Sequence, residues 1–135
     1  MAADLAAIWK IKIQKMKAKF IEMIPVIPSQ DIERDRLWYK EKVGFETHFY
    51  DLMYAVLYRD NLVLHLQWHA DNESDPLLGG SVVRIRVKNI KPLLDEFVER
   101  GTVKPESFKP NTPWRTHEFG FFDLNKNLIF VMEDV

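Results

Sequence analysis

Residues 24–45 read IPVIPSQDIERDRLWYKEKVGF, a short apolar run followed by a helix with clear signals at both ends. Residues 20–27 alternate enough to predict a strand, which Pro28 ends. Asp31 is a typical N-cap for a helix running to about residue 42, because its side chain accepts from free backbone N–H groups. Gly44 then ends the helix, since glycine readily takes the left-handed conformation. The predicted apolar stripe of this helix consists of Ile32, Leu37, Trp38 and Val43.

The same order of elements occurs twice along the chain. After the first helix, strands are predicted at residues 45–50, 54–58 and 62–68. Residues 70–80 are polar and contain Pro76 and Gly79-Gly80, which is typical of a linker. Beyond them we expect a strand at 82–87, a helix at 90–100 that Gly101 ends, and strands at 102–108, 117–123 and 128–133.

Matching residues support a duplicated unit. The pattern Asp31-Ile32, Tyr39, Gly44 has its counterpart in Asn89-Ile90, Phe97, Gly101, and Asn61-Leu62-Val63 matches Asn127-Leu128-Ile129. We therefore expect an α+β protein of two tandem βαβββ modules, residues 20–69 and 81–135. The modules would form curved mixed sheets around a groove, with the helices on the outer face.

The composition is that of one globular domain. The chain has 135 residues, 47% hydrophobic and 29% charged, which is enough to bury a core. It has no cysteine, which excludes disulfides, thiolate catalysis and cysteine–metal sites. The net charge of −1 predicts neither a nucleic acid nor a membrane as partner. No apolar run approaches the roughly 20 residues of a membrane span, and lysines interrupt any secretory signal, so a cytoplasmic protein is predicted.

Residues 1–19 differ from the rest and are predicted as a separate extension. They contain five lysines and one acid, Asp4. Apolar residues at helical spacing (Leu5, Trp9, Ile13, Met16 and Phe20) indicate an amphipathic helix. Three interpretations stay open: a basic helix that binds a surface, an arm that packs on a partner subunit, or an extension upstream of a natural start at Met16.

Strand periodicity selects candidate groove residues. Side chains alternate between the two faces of a strand, so the apolar set Leu62, Leu64, Leu66 and Trp68 should pack on a helix. His65 and Gln67 then face the groove. The same alternation points Arg84 and Arg86 into it, where guanidinium groups suit anionic ligands. An ion pair with Glu118, Glu133 or a partner's acid is the alternative for the arginines.

The ordered set of motifs resembles the vicinal oxygen chelate superfamily of glyoxalases, extradiol dioxygenases and bleomycin resistance proteins, and it is most similar to the bleomycin resistance branch. The resemblance spans residue 20 to the end of the chain. Its residues are Ile24 to Ile32, Trp38-Tyr39, Val43-Gly44-Phe45, Leu64-His65-Leu66, Pro113-Trp114, His117-Glu118-Phe119, Asp123 and Asn127-Leu128-Ile129. It implies paired βαβββ modules, a homodimer, ligand grooves shared between subunits, and a stacking role for Trp114. The alternative for Trp114 is a loop anchor tucked into the core.

The resemblance also implies where a metal would be held. The metal-dependent branches place ligands at positions that fall here on Ile24, His65, Val82 and Phe130. Divalent ions need nitrogen, oxygen or thiolate donors, which three of these residues lack. No metal and no other cofactor is therefore predicted.

Two loops depart from the family pattern. The turn before the last strand reads Asp123-Leu124-Asn125-Lys126-Asn127, where the family usually has proline and glycine. Asparagine tolerates positive φ, so the turn is expected to survive. Arg115 replaces the glycine that usually follows the Pro-Trp pair.

The leading hypothesis is a protein that sequesters an aromatic or anionic small molecule without catalysis. The ligand-binding residues would be His65, Gln67, Arg84, Arg86, Trp114 and Phe130. A second hypothesis is a metal-dependent lyase or dioxygenase with displaced ligands at His65, His117 and Glu118. A third is a dimerisation module whose groove is filled by its partner.

Overall fold

The computed structural model describes residues 4–76 and 79–135, and it leaves the side chains of residues 13–16 aside. Leu77 and Leu78 of the predicted linker, and residues 1–3 of the extension, lie outside this description. The helices are α1 (Leu5–Met16), α2 (Ile32–Val43) and α3 (Ile90–Glu99). The strands are β1 (Val26–Ser29), β2 (Glu46–Tyr50), β3 (Tyr54–Arg59), β4 (Leu62–Trp68), β5 (Val82–Arg86), β6 (Thr116–Phe122) and β7 (Leu128–Asp134). The α+β class is confirmed.

The first sheet has the strand order β1-β4-β3-β2, in which β1 and β4 are parallel and the other pairs antiparallel. In β4, Leu64 and Leu66 are buried, whereas Val63 and His65 are half-buried on the other face. The face assignment of β4 is thus confirmed. β1 is shorter and later than predicted, because Phe20, Ile21 and the residues that follow them up to Pro25 form no strand and are largely exposed.

The second sheet has the order β5-β7-β6, with β5 and β7 parallel. The strand predicted at residues 102–108 is wrong. This segment contains a 3-10 helix at Pro105–Ser107, and beyond it only one bridge, from Lys109 to Glu118, forms towards β6. Pro105 has no N–H to donate to a ladder, which disfavours a strand there. The second module therefore has three strands where four were expected.

Both modules share one hydrophobic core. It contains Tyr39 and Val43 of α2, Phe97 of α3, and the inner residues of both sheets, among them Leu66 and Phe119. The stripe predicted for α2 is partly wrong, since Leu37 is 47% exposed and the buried residues are Ile32, Asp35, Tyr39 and Val43. A carboxylate thus occupies a core position of α2.

Buried polar side chains connect the two modules, and we call them the module junction: Ser29, Asp35, Tyr39, Asp123, Asn125 and Asn127. Asp35 is 1% exposed. It accepts hydrogen bonds from Ser29 Oγ (2.5 Å), Asn125 Nδ2 (2.6 Å) and Arg34 Nε (2.8 Å). Because Asn125 belongs to the second module, this carboxylate joins α2 to the turn between β6 and β7.

Asp123 makes the reciprocal connection. Its Oδ2 accepts from the Tyr39 hydroxyl (2.6 Å) and from Asn127 Nδ2 (2.8 Å). Its Oδ1 accepts from the backbone N–H groups of Asn125 and Asn127, which closes the turn. Burial raises the pKa of Tyr39, and the neighbouring Asp123 carboxylate raises it further, so Tyr39 stays a neutral donor.

The turn from Asp123 to Asn127 survives without glycine, but for a reason other than the predicted one. The residue with positive φ is Lys126 (φ 63°), whereas Asn125 uses its side chain on Asp35. A side chain in this left-handed region costs about 1–2 kcal/mol. Lys126 therefore occupies a conformation that glycine adopts more readily.

We predict that Lys126→Gly raises the free energy of unfolding by about 0.5–1 kcal/mol, because the relief of the left-handed conformation exceeds the extra backbone entropy of glycine in the unfolded chain. Chemical denaturation measures this change. The control is Lys104→Gly, since Lys104 is exposed and has φ −96°, where glycine brings only the entropic cost. Equal destabilisation of both variants would contradict the prediction.

Helix α1 is present in the N-terminal extension, as the periodicity predicted. Four of its apolar side chains are exposed: Leu5, Ile8, Trp9 and Ile11. Within residues 4–76 and 79–135, no helix is long and apolar enough to cross a membrane. The three interpretations of the extension stay predictions.

Candidate ligand-binding site

The face of the second sheet that is turned away from the helices and the core carries a stacked row of side chains. Strand pairing sets Arg84 of β5 beside Phe130 of β7, and Phe130 beside Gly120 of β6. The Arg84 guanidinium lies 4.8 Å from the centre of the Phe130 ring, within cation–π range. A Cβ atom on Gly120 would lie 2.8 Å from Phe130 Cδ1. Glycine at position 120 therefore lets the Phe130 ring lie close against β6.

Glu118 is the polar centre of this face. It is 4% exposed, and its Oε2 accepts from Arg84 Nη2 (2.9 Å), Trp114 Nε1 (3.0 Å) and Thr116 Oγ1 (2.7 Å). Burial would raise the pKa of its carboxyl group. The hydrogen bonds from Trp114 and Thr116, together with the charge of Arg84, outweigh burial and place the pKa below its ordinary value. Glu118 is therefore an anion at neutral pH.

The loop that carries Trp114 is closed at its base by two threonines. Thr112 N donates to Thr116 O (2.8 Å), and Thr116 N donates to Thr112 Oγ1 (3.1 Å). Arg115, at the place of the family's glycine, adopts φ 66° and donates its N–H to Thr112 O. The loop thus keeps a left-handed residue after Trp114. Trp114 itself is 61% exposed, so the alternative of a core anchor is wrong.

Arg84, Trp114 and Thr116 border a cavity of about 370 Å³ that we call the second-sheet groove. Its lining residues are Arg84, Arg86, Trp114, Thr116, Met132 and Asp134. Both arginines are ion-paired: Arg84 with Glu118 at 2.9 Å, and Arg86 with Asp134 at 3.2 Å. The alternative of an ion pair is confirmed for Arg84. For Arg86 the acid differs from the candidates named from the sequence.

A second cavity, of about 320 Å³, opens between the two sheets. It is mainly apolar, with Val63 and Leu64 of β4 on one side and Val83 and Ile85 of β5 on the other. Arg84 and Arg86 line this cavity as well as the second-sheet groove. The β5 arginines therefore stand at the boundary between the two cavities.

The other predicted site residues lie on the first sheet. His65 Nδ1 is 2.7 Å from the Tyr54 hydroxyl, and the two rings meet edge to face. Gln67 is exposed on the same face of β4. Among the hydrogen bonds, ion pairs and ring contacts of residues 4–76 and 79–135, none joins His65 or Gln67 to Arg84, Trp114 or Phe130. The structure thus brings the predicted residues together as two separate groups.

No family model matches this chain. Bleomycin resistance proteins of Geobacillus stearothermophilus and Staphylococcus aureus are 23% identical over 129 residues, an alignment that covers 85% of this chain and 98% of each relative. A crystal structure of a bleomycin-binding protein complexed with bleomycin matches with a TM-score of 0.71 and 20% identity, over 86% of this chain and the whole of the other.

A glyoxalase/bleomycin resistance protein/dioxygenase from Nocardioides matches with a TM-score of 0.69 and 13% identity, over 95% of this chain and 93% of its own. The chain has the vicinal oxygen chelate fold. Its relatives are bleomycin resistance proteins, so the resemblance predicted from the sequence is confirmed.

The resemblance implied metal-ligand positions at Ile24, His65, Val82 and Phe130. Three of these side chains are hydrocarbon, and Nδ1 of His65 already contacts Tyr54. The residues present therefore do not fit a divalent ion. The alternative set of metal ligands, His65, His117 and Glu118, does not come together either. His65 is on the first sheet, while His117 and Glu118 point to opposite faces of β6. Among the residues that the structure describes, no group of three His, Asp or Glu could hold a metal.

Two parts of this site were not predicted from the sequence. Gly120 and the Thr112–Thr116 pair were not singled out, although the alternation of β6 puts Gly120 on the same face as Glu118. The register between β6 and β7, which sets Gly120 beside Phe130, depends on the turn at residues 123–127. That turn departs from the family pattern, so its geometry was not readable from the sequence.

Proposed function

We propose that this protein sequesters a small molecule in the second-sheet groove, without a metal and without turnover. The observation that carries the proposal is an exposed indole, Trp114, which buried Glu118 holds beside the Arg84–Phe130 stack. Large exposed aromatic side chains that are held in place supply flat contact area to a ligand at low entropic cost. Trp114 provides the stacking surface, and Arg84 and Arg86 the polar contacts. Phe130, which the sequence suggested as a ligand residue, does not line the groove and instead supports Arg84.

Charge favours an aromatic ligand over an anionic one. Arg84 and Arg86 are each neutralised by a carboxylate, so neither offers an unpaired positive charge to an anion. Residues 1–19 carry a net charge of +4, which leaves −5 for residues 20–135. A cationic aromatic compound such as bleomycin therefore meets no uncompensated arginine, and the relatives named for bleomycin resistance support the same class.

A cytoplasmic homodimer completes the proposed arrangement. His65 and Gln67 lie on the first sheet, apart from Trp114 and Phe130. In a dimer, the first sheet of one protomer faces the second-sheet groove of its partner, and the ligand is held between them. Both groups of predicted residues then contact one ligand.

Isothermal titration with metal-free bleomycin tests the proposed function. We expect saturable binding that is unchanged by EDTA. The free energy of unfolding should rise by about 2.7 kcal/mol at a ligand concentration 100 times the dissociation constant. Sedimentation equilibrium in the same buffer should give twice the chain mass of 16.0 kDa. Failure of bleomycin and of a panel of planar aromatic compounds to bind would contradict the proposal, as would chemical conversion of a ligand that requires an added divalent metal.

A further inference from the structure

Trp114 combines exposure with a fixed side chain. Its indole is 61% exposed, and an unrestrained surface tryptophan would sample several rotamers. Here Nε1 donates to Glu118 Oε2 at 3.0 Å, and the loop beneath it is closed by Thr112 and Thr116. Trp114 is therefore restrained through the loop backbone and through its indole nitrogen, although most of its side chain contacts solvent.

The same carboxylate oxygen also restrains Arg84. Arg84 Nη2 donates to Glu118 Oε2 at 2.9 Å while its guanidinium lies over Phe130. Thr116 Oγ1 donates to this oxygen too, which uses its hydroxyl proton, so Thr112 is the donor in the 2.8 Å contact between the two threonine hydroxyls. One buried oxygen thus fixes the indole, the guanidinium and the base of the loop together.

We propose that Glu118 is the positioning residue of the second-sheet groove, which holds Trp114 and Arg84 in their ligand-binding orientation before a ligand arrives. This deepens the proposed function, and its ligand-binding part rests on that function. Ordering a rotamer-rich side chain costs free energy at the moment of binding, so a side chain that is already ordered leaves more of the contact energy for affinity. Glu118 itself does not line the groove.

The test compares Glu118→Ala and Glu118→Gln with the unsubstituted protein. The first observable is the indole N–H resonance of Trp114 and its 1H–15N heteronuclear NOE, which Trp114→Phe assigns among the four tryptophans. In Glu118→Ala this resonance should move and its NOE should fall, while those of Trp9, Trp38 and Trp68 stay. Glu118→Gln keeps an acceptor for the indole and should give an intermediate result. Glu106→Gln, at an exposed acid of the 3-10 helix, should change nothing.

The second observable is affinity for metal-free bleomycin by titration. Because Trp114 and Arg84 both lose their restraint, we expect affinity to fall about tenfold in Glu118→Ala and by less in Glu118→Gln. An unmoved, rigid Trp114 indole in folded Glu118→Ala overturns the positioning role, with or without a ligand. A mobile indole with undiminished affinity overturns its relevance to binding. A third outcome separates the two proposals. If the Trp114 indole becomes mobile in Glu118→Ala but the unsubstituted protein does not bind bleomycin, the proposed function is wrong and the positioning of Trp114 by Glu118 is supported.

Discussion

Replacing Asp35 with alanine is expected to lower the free energy of unfolding by about 3–4 kcal/mol. Hydrogen bonds to a charged group contribute about 1.5–3 kcal/mol each, and buried donors left without an acceptor add a desolvation cost. Ser29 Oγ and Asn125 Nδ2 would both lose their buried acceptor. The loss would also remove one link between α2 and the turn at residues 123–127, and would leave the one from Tyr39 to Asp123. Urea denaturation of the purified variant measures the change.

Glu41→Ala is the matched control, because Glu41 is an acid of the same helix but its side chain is largely exposed. Its only ion pair, among the residues described, is with Lys42 at 4.0 Å. Exposed pairs of this kind contribute little, so we expect a change within about 0.5 kcal/mol. If Asp35→Ala destabilises no more than Glu41→Ala, the module junction does not hold the modules together.

Trp114→Ala is expected to weaken binding of metal-free bleomycin about 30-fold, or about 2 kcal/mol, as is typical of a tryptophan at the centre of a binding surface. The truncation removes the exposed indole that forms one wall of the second-sheet groove. Because the truncation also removes the hydrogen bond from the indole to buried Glu118, the free energy of unfolding should fall by about 1.5–3 kcal/mol as well. Titration and denaturation of the same preparation separate the two effects.

Trp9→Ala provides a control of equal chemistry and exposure. Trp9 is 60% exposed, on α1, and its ring contacts Lys12. We expect affinity and stability to stay unchanged. Equal losses of affinity in both tryptophan variants would mean that the assay reports non-specific contact with exposed indoles.

The helices were the most predictable part of the fold, because their ends carry local signals. Asp31 caps α2 by accepting from Arg34 N, and Gly44 ends it with φ 75°, as its residue type indicates. The counterpart at α3 is different. Asn89 adopts φ 62° without a side-chain cap, and Glu133 of β7 accepts from the Asn89 N–H at 2.5 Å instead. A cap supplied from 44 residues away leaves no local pattern in the sequence.

Non-local contacts also explain the error in α2. Leu37 looks like a core residue by hydrophobicity, yet Asp35 takes a buried position because Ser29 and Asn125 provide its donors. Asn125 is 90 residues away in the chain. The available signal was that Asp35 lies at helical spacing between Ile32 and Tyr39, on the same face of α2. The residues that donate hydrogen bonds to it could be identified only from the fold.

The candidate site was predictable in residue type and face, whereas the sequence left the partner of Arg84 open among Glu118, Glu133 and an acid of a partner subunit. Period-two alternation placed Arg84, Arg86 and His65 on the strand faces turned away from the helices, where they lie. Alternation says nothing about which residue of another strand stands opposite. The pairing of Arg84 with Glu118 depends on the register of β5, β7 and β6. This pairing favours an aromatic ligand over an anionic one, two classes that the sequence left open.

The reciprocal carboxylates of the module junction constrain how such a molecule can diverge. Asp35 of the first half relies on Asn125 of the second, and Asp123 of the second relies on Tyr39 of the first. Neither half can accumulate changes at these places unless the other compensates. Among the residues described, the polar contacts of Glu118 in the second-sheet groove stay within the second half, so ligand preference can change there while the interior stays the same.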